Sequence, residues 1–286
     1  MTPSTSRPRS IRQIVEVEPK GPSGLLHPFP SEDLRHLDPF VFLDTAAPFE
    51  LGAGDIYVGP HSHRGVQPVS LLFRGRIEHR DSLGNERVVE SGGMQWLVAG
   101  SGALHEEVLH GDADGTFHMA QLWINVPSHR KMDDPEHHAL SADAIPVVEL
   151  APGAALRLYA GRVADHQGPA PMPTPVTVGH LALGAGAEAT MDVPAGWTAG
   201  VTVVAGSLNG PNGRPLAPGA TAVFEEAGDA IHLASDAGCE ALVMLGEPIG
   251  EPVAFGGGFV MNTRDEIQSA FDDEAAGLMG ALAPSR

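Results

Sequence analysis

Six of the 14 histidines of the chain lie between positions 61 and 118. Within that stretch, His61 and His63 are two residues apart, and so are His105 and Glu107. Residues i and i+2 of a strand project from the same face, so each pair would point one way together. Two such strands facing each other across a barrel would offer three imidazoles and one carboxylate to a single ion, with a position left open for a substrate. That ligand set suits Fe, Mn, Co, Ni, Cu or Zn. On spacing alone, ordinary solvated surface histidines remain the alternative.

The neighbouring polar residues are expected to take other roles. Glu106 alternates with the candidate ligands and should point away from them. His79 lies at a strand end, which favours a surface position or a place behind the ligands. His118 precedes an apolar strand and is expected in the core, whereas His137 and His138 lie in a charged turn and should face solvent.

The elements that must position these side chains have the pattern of short strands. The chain contains 35 glycines and 25 prolines without a collagen-like period, which indicates many turns. Apolar runs with strand periodicity cover 68–80, 94–99 and 121–126, and DSLGN at 81–85 is typical of a hairpin turn. Several such strands at roughly ten-residue spacing predict an all-β sandwich or barrel.

A second β-like block at 176–252 resembles a diverged repeat of the first. Its segment GVTVVAGSL (200–208) aligns with PVSLLFRGRI (68–77), which favours two barrels in tandem. Between the blocks, the alternate prolines of 167–175 cannot lie in a central strand and are typical of a connector.

The end of the chain changes to a helical pattern. Thr263 and Glu266 have the spacing of a capping box, in which each side chain satisfies a free backbone N–H of the other residue. Ile267 and Phe271 then fall on one helical face. The pattern predicts a terminal helix over 264–279.

The charge balance excludes several classes of protein. With 17 Lys and Arg against 36 Asp and Glu, the net charge is −19, and a nucleic-acid-binding protein needs a basic surface instead. The single Cys239 cannot form an internal disulfide, and the N-terminus has no apolar signal sequence. No apolar run is long enough to span a membrane. A cytoplasmic protein that contacts neither membrane nor nucleic acid is therefore expected.

Five long motifs carry a resemblance to a known family: HSHRG (61–65), EHRDSLGN (78–85), MQWLVAGSGALHEE (94–107), QLWINVP (121–127) and GEPIGEPVAFGGGFVMNT (246–263). Together they resemble the pirin family over nearly the whole chain. The resemblance implies an all-β bicupin, in which two tandem jelly-roll barrels are packed together and a short helix ends the chain. It also implies one metal ion, usually iron, in the N-terminal barrel only.

The resemblance places the family's metal ligands on His61, His63, His105 and Glu107, which are the residues that the spacing singles out. It implies Fe(II) as the resident metal, with Mn, Co, Ni, Cu and Zn as the alternatives. One departure lies beside these ligands, because pirins commonly continue HRG with F-E-T, whereas this chain has V-Q-P. Gln67 is therefore a neutral amide in place of a carboxylate that is not expected to ligate the metal, and Pro68 alters the entry to the strand. Metal binding should survive, but activity or substrate range could change.

The C-terminal barrel is expected to be free of metal. Val193 and Ala195 align with the first histidine pair, and Ile231 and Leu233 align with His105 and its partner carboxylate. Apolar side chains cannot ligate a metal ion, so this barrel is expected to be structural. Its acidic surface is expected to maintain solubility, or alternatively to dock a basic protein.

The predicted domain boundaries follow the chain from end to end. They comprise an N-terminal arm with the first strands (1–36), a metal-binding cupin (37–145), a connector (146–175), a metal-free cupin (176–262) and a C-terminal helix (263–286). The family's Y-G-P-F-V is F-G-G-G-F-V here, at 255–260, and is expected to pack more loosely.

Two functions are compatible with the resemblance. The first is a quercetin 2,3-dioxygenase-type oxidoreductase, in which the metal binds a flavonol, Glu107 acts as the catalytic base, and ring cleavage releases carbon monoxide. Four apolar residues are expected to wall its substrate pocket, namely Leu71, Phe73, Trp96 and Leu104. The alternative is a non-catalytic, iron-dependent redox sensor that binds a metabolic enzyme or transcription factor. The expected partner is a small aromatic molecule or a protein, and a monomer is expected.

Overall fold

A computed structural model describes residues 6–21, 24–46, 48–51 and 54–283. Most of these residues lie in strands, as the sequence predicts; the ends of the predicted N-terminal arm and C-terminal helix, at 1–5 and 284–286, lie outside the described residues. The first twelve strands are β1 (Ile11–Val15), β2 (Leu25–Phe29), β3 (Phe40–Ala46), β4 (Phe49–Glu50), β5 (Ile56–His63), β6 (Val66–Arg74), β7 (Arg76–Asp81), β8 (Glu86–Glu90), β9 (Met94–Val98), β10 (Ala103–His110), β11 (Thr116–Asn125) and β12 (Glu136–Leu140).

The remaining elements follow from residue 147 onward. They are β13 (Val147–Ala151), β14 (Ala154–Ala160), β15 (Arg162–Val163), β16 (His166–Gln167), β17 (Val176–Leu183), β18 (Ala187–Asp192), β19 (Thr198–Gly206), β20 (Leu208–Asn209), β21 (Pro215–Leu216), β22 (Thr221–Phe224), β23 (Ala230–Ser235), β24 (Cys239–Gly246), β25 (Ala254–Gly256), β26 (Phe259–Met261) and the helix α1 (Arg264–Ala275). Three short 3-10 turns lie at Ser128–Arg130, Ala142–Ala144 and Pro211–Gly213. Among the described residues, no helix is long and apolar enough to cross a membrane.

The unit that contains the histidine pairs, here called the first barrel, comprises residues 48–143 and 249–286. One of its sheets has the strand order β5-β10-β7-β8, and the other contains the run β12-β9-β6-β11. Inward side chains of both sheets meet in an apolar cluster that includes Leu72, Ile77 and Phe117. The burial of β10 alternates strictly along the strand, so every second residue from Ala103 faces the interior.

The second barrel comprises residues 1–47 and 144–248. Its main sheet has the order β1-β22-β19-β24-β17-β14-β13, and β18 pairs with β23 beside it. A single large apolar cluster, with Leu156, Val201 and Val243 among its fully buried members, fills this unit. The prediction of an all-β chain with two barrels is confirmed, but each barrel combines two separate stretches of chain rather than one continuous stretch.

Two predicted elements need correction. The expected connector over 146–175 is wrong for its first part, because β13 and β14 pair with each other and β14 pairs with β17 in the second barrel's sheet. Only 168–175, which contains the alternate prolines, lacks a strand. The terminal helix has the predicted capping box but ends at Ala275 rather than at residue 279. Gly277 follows with φ +73°, a left-handed conformation that terminates helices.

Candidate metal centre

The pairing of β5 with β10 brings the two histidine pairs together. The strands run antiparallel with His61 opposite His105 and His63 opposite Ala103, and a bulge follows His105. The ring centroid of His105 lies 4.2 Å from that of His61 and 5.0 Å from that of His63. The three predicted histidines therefore form one cluster on the inner face of the first barrel.

The Nε2 atoms of this cluster have the arrangement that a metal ion requires. Candidate ligand atoms of His61, His63 and His105 lie within 4.8 Å of one another, and the Nε2 atoms of His61 and His105 are 2.9 Å apart. Two nitrogens about 2.1 Å from one ion are separated by about 3.0–3.4 Å. The buried Nε2 of His63 has no hydrogen-bond partner among the described residues. The cluster therefore fits a bound transition-metal ion.

The other ring nitrogen of two histidines is occupied by a backbone carbonyl. Nδ1 of His61 lies 2.9 Å from the oxygen of Gly59, and Nδ1 of His63 lies 3.0 Å from the oxygen of Gly258. A carbonyl can only accept, so each Nδ1 donates its proton and leaves the Nε2 lone pair free. Hydrogen bonds of this kind fix the tautomer and the orientation of metal-ligating histidines.

Burial also favours the neutral, metal-binding form of these rings. Desolvation, with a contribution from His61, lowers the pKa of His63 to about 3. Desolvation and the neighbouring histidines hold the pKa of His105 well below its usual range. His63 and His105 are 1% and 3% exposed, whereas His61 is partly exposed and forms the solvent-facing edge of the cluster.

Glu107 lies beside the cluster rather than within it. Its carboxylate forms a group with His79 and His105, so His105 is common to both groups. The Oε1 atom accepts a 2.5 Å hydrogen bond from the Nε2 of Gln95 and lies 3.9 Å from Nδ1 of His79. Glu106 points the other way, as predicted, and accepts hydrogen bonds from Arg80 and Tyr57 on the outer face.

A polar pocket lies behind Glu107. Ser70, Gln95 and Gln121 line it together with His79 and His137, around a cavity of about 10 Å³ that has room for roughly one water molecule. Two features of the sequence indicate this pocket. Gln95 is a polar residue inside the apolar run MQWLV, and Ser70 interrupts the apolar strand β6.

His79 and His137 are buried more deeply than expected. His79 is 2% exposed, and its ring stacks on that of His137 at 3.8 Å with an interplanar angle of 11°. Burial tends to lower the pKa of His79, but the neighbouring carboxylates of Asp81 and Glu107 outweigh it and raise the pKa. The prediction of a solvent-facing His137 is wrong, because Glu136–Leu140 forms β12 and desolvation lowers the pKa of His137 to about 3. His118 is buried in the core, as predicted.

Leu71 and Phe73 do not line the cavity. Both lie on β6, where the cavity is lined by Pro68 and Ser70, and alternation along a strand places odd and even residues on opposite faces. The ring of Phe73 instead lies 4.7 Å from that of His118. Both faces of β6 are buried, so apolar periodicity alone could not tell which face looks into the barrel.

Of the other two predicted pocket residues, Trp96 lines the cavity, as predicted, and Leu104 does not. The indole of Trp96 stacks on His138 at 4.8 Å. Leu104 precedes His105 on β10 and lies on the outer face of that strand. The side chains that surround the candidate site are therefore more polar than the sequence suggested.

Gln67 also lies away from the histidine cluster. It pairs with Ile124 across β6 and β11, on the face opposite Pro68. The side chain is fully buried, and neither its amide nitrogen nor its amide oxygen has a hydrogen-bond partner among the described residues. The position agrees with the expectation that this residue is not a metal ligand.

The C-terminal segment returns to the first barrel and contacts the HSHRG motif. Besides the contact of Gly258 with His63, the buried ammonium of Lys131 donates to the carbonyl oxygens of Gly65 and Val260 at 2.7 and 2.9 Å. Desolvation lowers the pKa of Lys131 to about 8. Nothing in the local sequence pairs these segments, because 195 residues separate His63 from its carbonyl partner.

The expectation of loose packing at 255–260 is wrong. A Cβ atom at Gly258 would overlap the carbonyl oxygen of Ser62, and one at Gly256 would overlap the side chain of Ile267. The glycines are therefore sites of close approach.

The second barrel has no comparable cluster among its described residues. Val193, Ile231 and Leu233 are buried in its apolar core, as predicted for positions that align with the ligands. Ala195 differs, because it is exposed in the turn that follows β18.

The chain is similar to known proteins over most of its length. The Pirin family model matches residues 24–124, and the Pirin C-terminal cupin domain matches residues 178–280. A Pseudomonas aeruginosa protein provisionally named quercetin 2,3-dioxygenase is 37% identical over 246 residues, which cover 84% of this chain and 85% of that protein. Pirin-1 of Arabidopsis thaliana is 34% identical over 247 residues, which cover 84% of this chain and 83% of that protein.

Solved structures share the fold. The crystal structure of quercetin 2,3-dioxygenase from Acinetobacter baumannii matches with a TM-score of 0.86 at 33% identity, over 97% of this chain and 100% of that chain. The nickel(II) complex of the bacterial pirin YhhW from Escherichia coli matches with a TM-score of 0.60 at 17% identity, over 84% and 98% of the two chains. At that identity the second match shows a likeness of fold alone.

Proposed function

The chain belongs to the pirin family, and on that premise we propose that it is a metal-dependent dioxygenase that cleaves a flavonol such as quercetin. The observation that carries the proposal is the cluster of His61, His63 and His105, whose candidate ligand nitrogens lie within 4.8 Å of one another, with one solvent-facing edge. Relatives named for this activity support it. The partner that we propose is therefore a small aromatic substrate.

His61, His63 and His105 would hold the metal ion, with Glu107 as the proposed fourth ligand. A bound metal supplies a Lewis acid for the substrate oxygens and a redox centre for O₂. The partly exposed side of His61 is where a substrate can approach, because His63 and His105 are closed off from solvent. The carbonyls of Gly59 and Gly258 hold Nδ1 of His61 and His63, which leaves both Nε2 lone pairs free for the ion.

Glu107 is the proposed base. A flavonol must lose the proton of its 3-hydroxyl group as that oxygen binds, and Glu107 is the carboxylate grouped with His105. The hydrogen bond from Gln95 holds the carboxylate beside that ligand. The flavonol and O₂ contain all the atoms of the products, which are carbon monoxide and a ring-opened ester, so no external reductant is needed.

We propose Fe(II) as the resident metal. Affinity order alone favours Cu and Zn over Fe, so metal content after purification would also reflect availability. Anaerobic purification from the native host followed by elemental analysis is the test, and one Fe per chain is the expected result. A different metal at full occupancy would replace Fe(II) in the proposal.

Turnover by the Fe(II)-loaded protein tests the dioxygenase. We expect loss of quercetin absorbance with O₂ uptake and release of carbon monoxide. Glu107→Gln should lower the rate by about 10²–10⁴-fold while retaining part of the metal, because it removes the base. Glu106→Gln is the matched control, since its carboxylate faces outward on the same strand and should leave the rate unchanged.

Absence of turnover in metal-loaded protein would contradict the dioxygenase. The outcome would favour the alternative, an iron-dependent redox sensor that binds a protein partner. Undiminished turnover in Glu107→Gln would contradict the base alone. Gln67 does not weigh in favour of the sensor, because its side chain lies on the face of β6 opposite Pro68, which lines the pocket.

A further inference from the structure

Two polar residues of the EHRDSLGN motif, His79 and Asp81, form a line of hydrogen bonds that begins at His105. Nδ1 of His105 lies 3.4 Å from Nδ1 of His79, and Nε2 of His79 lies 3.1 Å from Oδ2 of Asp81. All three side chains are buried, with His79 at 2% and Asp81 at 4% exposed. The proposed function assigns no role to either residue.

The direction of donation along this line follows from the ligand. If Nε2 of His105 binds the metal, the proton of its neutral ring is on Nδ1 and must be donated. The neighbouring Nδ1 of His79, which lies 3.9 Å from Oε1 of Glu107, can accept it only when His79 is neutral and carries its single proton on Nε2. That proton in turn faces a carboxylate oxygen of Asp81, which accepts it. Each residue thus sets the tautomer of the next.

We propose that Asp81, acting through His79, is a positioning residue that fixes His105 in the tautomer able to bind the metal. The inference rests on the proposed metal centre. Carboxylates commonly orient a metal-ligating histidine directly, whereas here a second histidine is interposed. The geometry thus assigns the EHRDSLGN motif a part in metal binding.

The line is held rigidly at both inner residues. Oδ1 of Asp81 accepts from the backbone N–H groups of Leu83 and Asn85 at 3.0 and 2.9 Å, so the hairpin turn orients the carboxylate. The ring of His79 is confined by its stack on His137. Neither side chain can rotate freely to offer a different atom.

Asp81→Asn is the sharpest test. The two N–H groups of the turn require an oxygen at the Oδ1 position, so the new NH₂ group takes the position of Oδ2 and points at His79. It also replaces the oxygen that accepts from the side-chain amide of Asn85 at 2.9 Å. Because that group donates, His79 must accept through Nε2 and carry its proton on Nδ1. Two donors then oppose each other between His79 and His105, and metal binding by His105 is disfavoured.

Asp112→Asn is the matched control. Asp112 also lies in a turn of the first barrel, where its Oδ1 accepts from the N–H groups of Asp114 and Thr116 at 3.2 Å. Its Oδ2 accepts from Arg74 rather than from a histidine. The control therefore removes one half-buried carboxylate charge from a comparable turn without touching the line behind His105.

The primary measurement is Zn(II) affinity, by competition with a chromophoric chelator. Asp81→Asn should weaken it by about 10–100-fold, the usual cost of losing a residue that orients a ligand, and Asp112→Asn should leave it unchanged. Proton-detected ¹⁵N spectra of the histidine rings in the Zn(II)-loaded wild type should show His79 with its proton on Nε2 and His105 with its proton on Nδ1. A purely structural role for Asp81 would not determine these proton positions.

Three results would overturn the inference. Unchanged affinity in Asp81→Asn, or a Zn(II)-loaded wild type with a proton on Nδ1 of His79, would overturn the line alone. A wild type that binds no metal would overturn it together with the proposed function. If Asp81→Asn folds poorly, His79→Phe keeps the stack and the turn but removes both nitrogens, and it must also weaken Zn(II) binding by about tenfold or more.

Discussion

The first and second barrels contain a similar antiparallel strand pair, but its inward side chains are polar in the first barrel and apolar in the second. In the first barrel, β5 and β10 turn His61, His63, His105 and Glu107 toward the interior. In the second barrel, β18 pairs with β23, and the inward side chains are apolar, including Met191, Ile231 and Leu233. The same local architecture therefore supports either a polar centre or a core, depending on a few inward positions.

The difference has an energetic consequence. Buried imidazoles that stay neutral forgo the hydration they have in the unfolded chain, whereas buried aliphatic side chains stabilise the fold by about 1.5–3 kcal/mol each. Buried histidines among the described residues, His63, His79, His105 and His118, all belong to the first barrel. We expect metal binding to offset that cost in the first barrel, and we expect the second barrel to be stable without any ligand.

Removal of two candidate ligands should have the largest effect. The double variant His61→Ala, His105→Ala should lower metal content after Fe(II) loading from about one ion per chain to below about 0.1, because one imidazole remains. Elemental analysis after desalting is the measurement. His180→Ala, His232→Ala removes two histidines from strands β17 and β23 of the second barrel and should retain the full ion. Full retention in the first variant would break the distinction between the barrels.

The reverse substitution tests whether the second barrel tolerates a ligand side chain. Ile231→His places an imidazole without a partner in a fully buried apolar core. We expect the free energy of unfolding to fall by about 3–5 kcal/mol, from lost packing and an unsatisfied polar group. Ile231→Val should cost only about 0.5–1.5 kcal/mol. Equal losses in the two variants, measured by urea denaturation, would refute the polar contribution.

Acid should destabilise the metal-free first barrel. The pKa values of His63 and His137 are about 3 in the folded state, below about 6.5 in an unfolded chain. Between pH 3 and 6.5 these histidines bind protons in the unfolded chain but not in the folded state, so the free energy of unfolding falls as pH falls. The loss approaches about 1.4 kcal/mol per pH unit for each histidine. It should be complete near pH 3 and absent above pH 7.

Denaturation of metal-free protein at pH 7.5 and 5.5 measures this loss. His137→Phe can keep the stack on His79 while removing one titrating group, so its loss over the same interval should be smaller by about 1 kcal/mol. A pH dependence identical to that of the wild type would show that His137 does not contribute.

Gln67→Glu should have the smallest effect on stability. Its effect on metal affinity distinguishes a metal ligand from a residue that is only buried. A carboxylate at this fully buried position would have a raised pKa, so it would cost about 1–3 kcal/mol at pH 7 and less below pH 4. Metal affinity should not change. Gln268→Glu, on the exposed side of α1, is the control and should cost a few tenths of a kcal/mol. Tighter metal binding in Gln67→Glu would show that the side chain reaches the centre.

Strand periodicity indicates the histidine cluster, with surface histidines as the alternative that the family resemblance disfavours, but it does not indicate the pocket around the cluster. The i, i+2 spacing fixes His61 with His63 whatever the rest of the fold, so the cluster needed only that β5 meet β10. The pocket required knowing which face of β6 looks inward, and both faces of that strand are buried. Choosing apolar residues therefore selected Leu71 and Phe73 on the wrong face.

Long-range contacts account for the remaining differences. The charged segment DDPEHHAL predicts a turn for His137, but pairing with β9 places it in a strand and against His79. The grouping of 249–286 with the first barrel has no local signal either, since it depends on contacts distant in sequence, such as those of Lys131 with Val260 and Arg64 with Asp273. The capping box of α1 was predictable because its partners are three residues apart.

The carbonyl of Gly258 also sets an order of events in the cell. It is made 195 residues after the His63 ring that it orients. At about 5–20 residues per second, a ribosome needs roughly 10–40 s to cover that distance. From residue 105 onward, which is most of this interval, the nascent chain carries all three histidines without the contact that fixes one of them. We expect metal acquisition to be a post-translational event. A nascent chain stalled before residue 258 is therefore expected not to retain a metal ion.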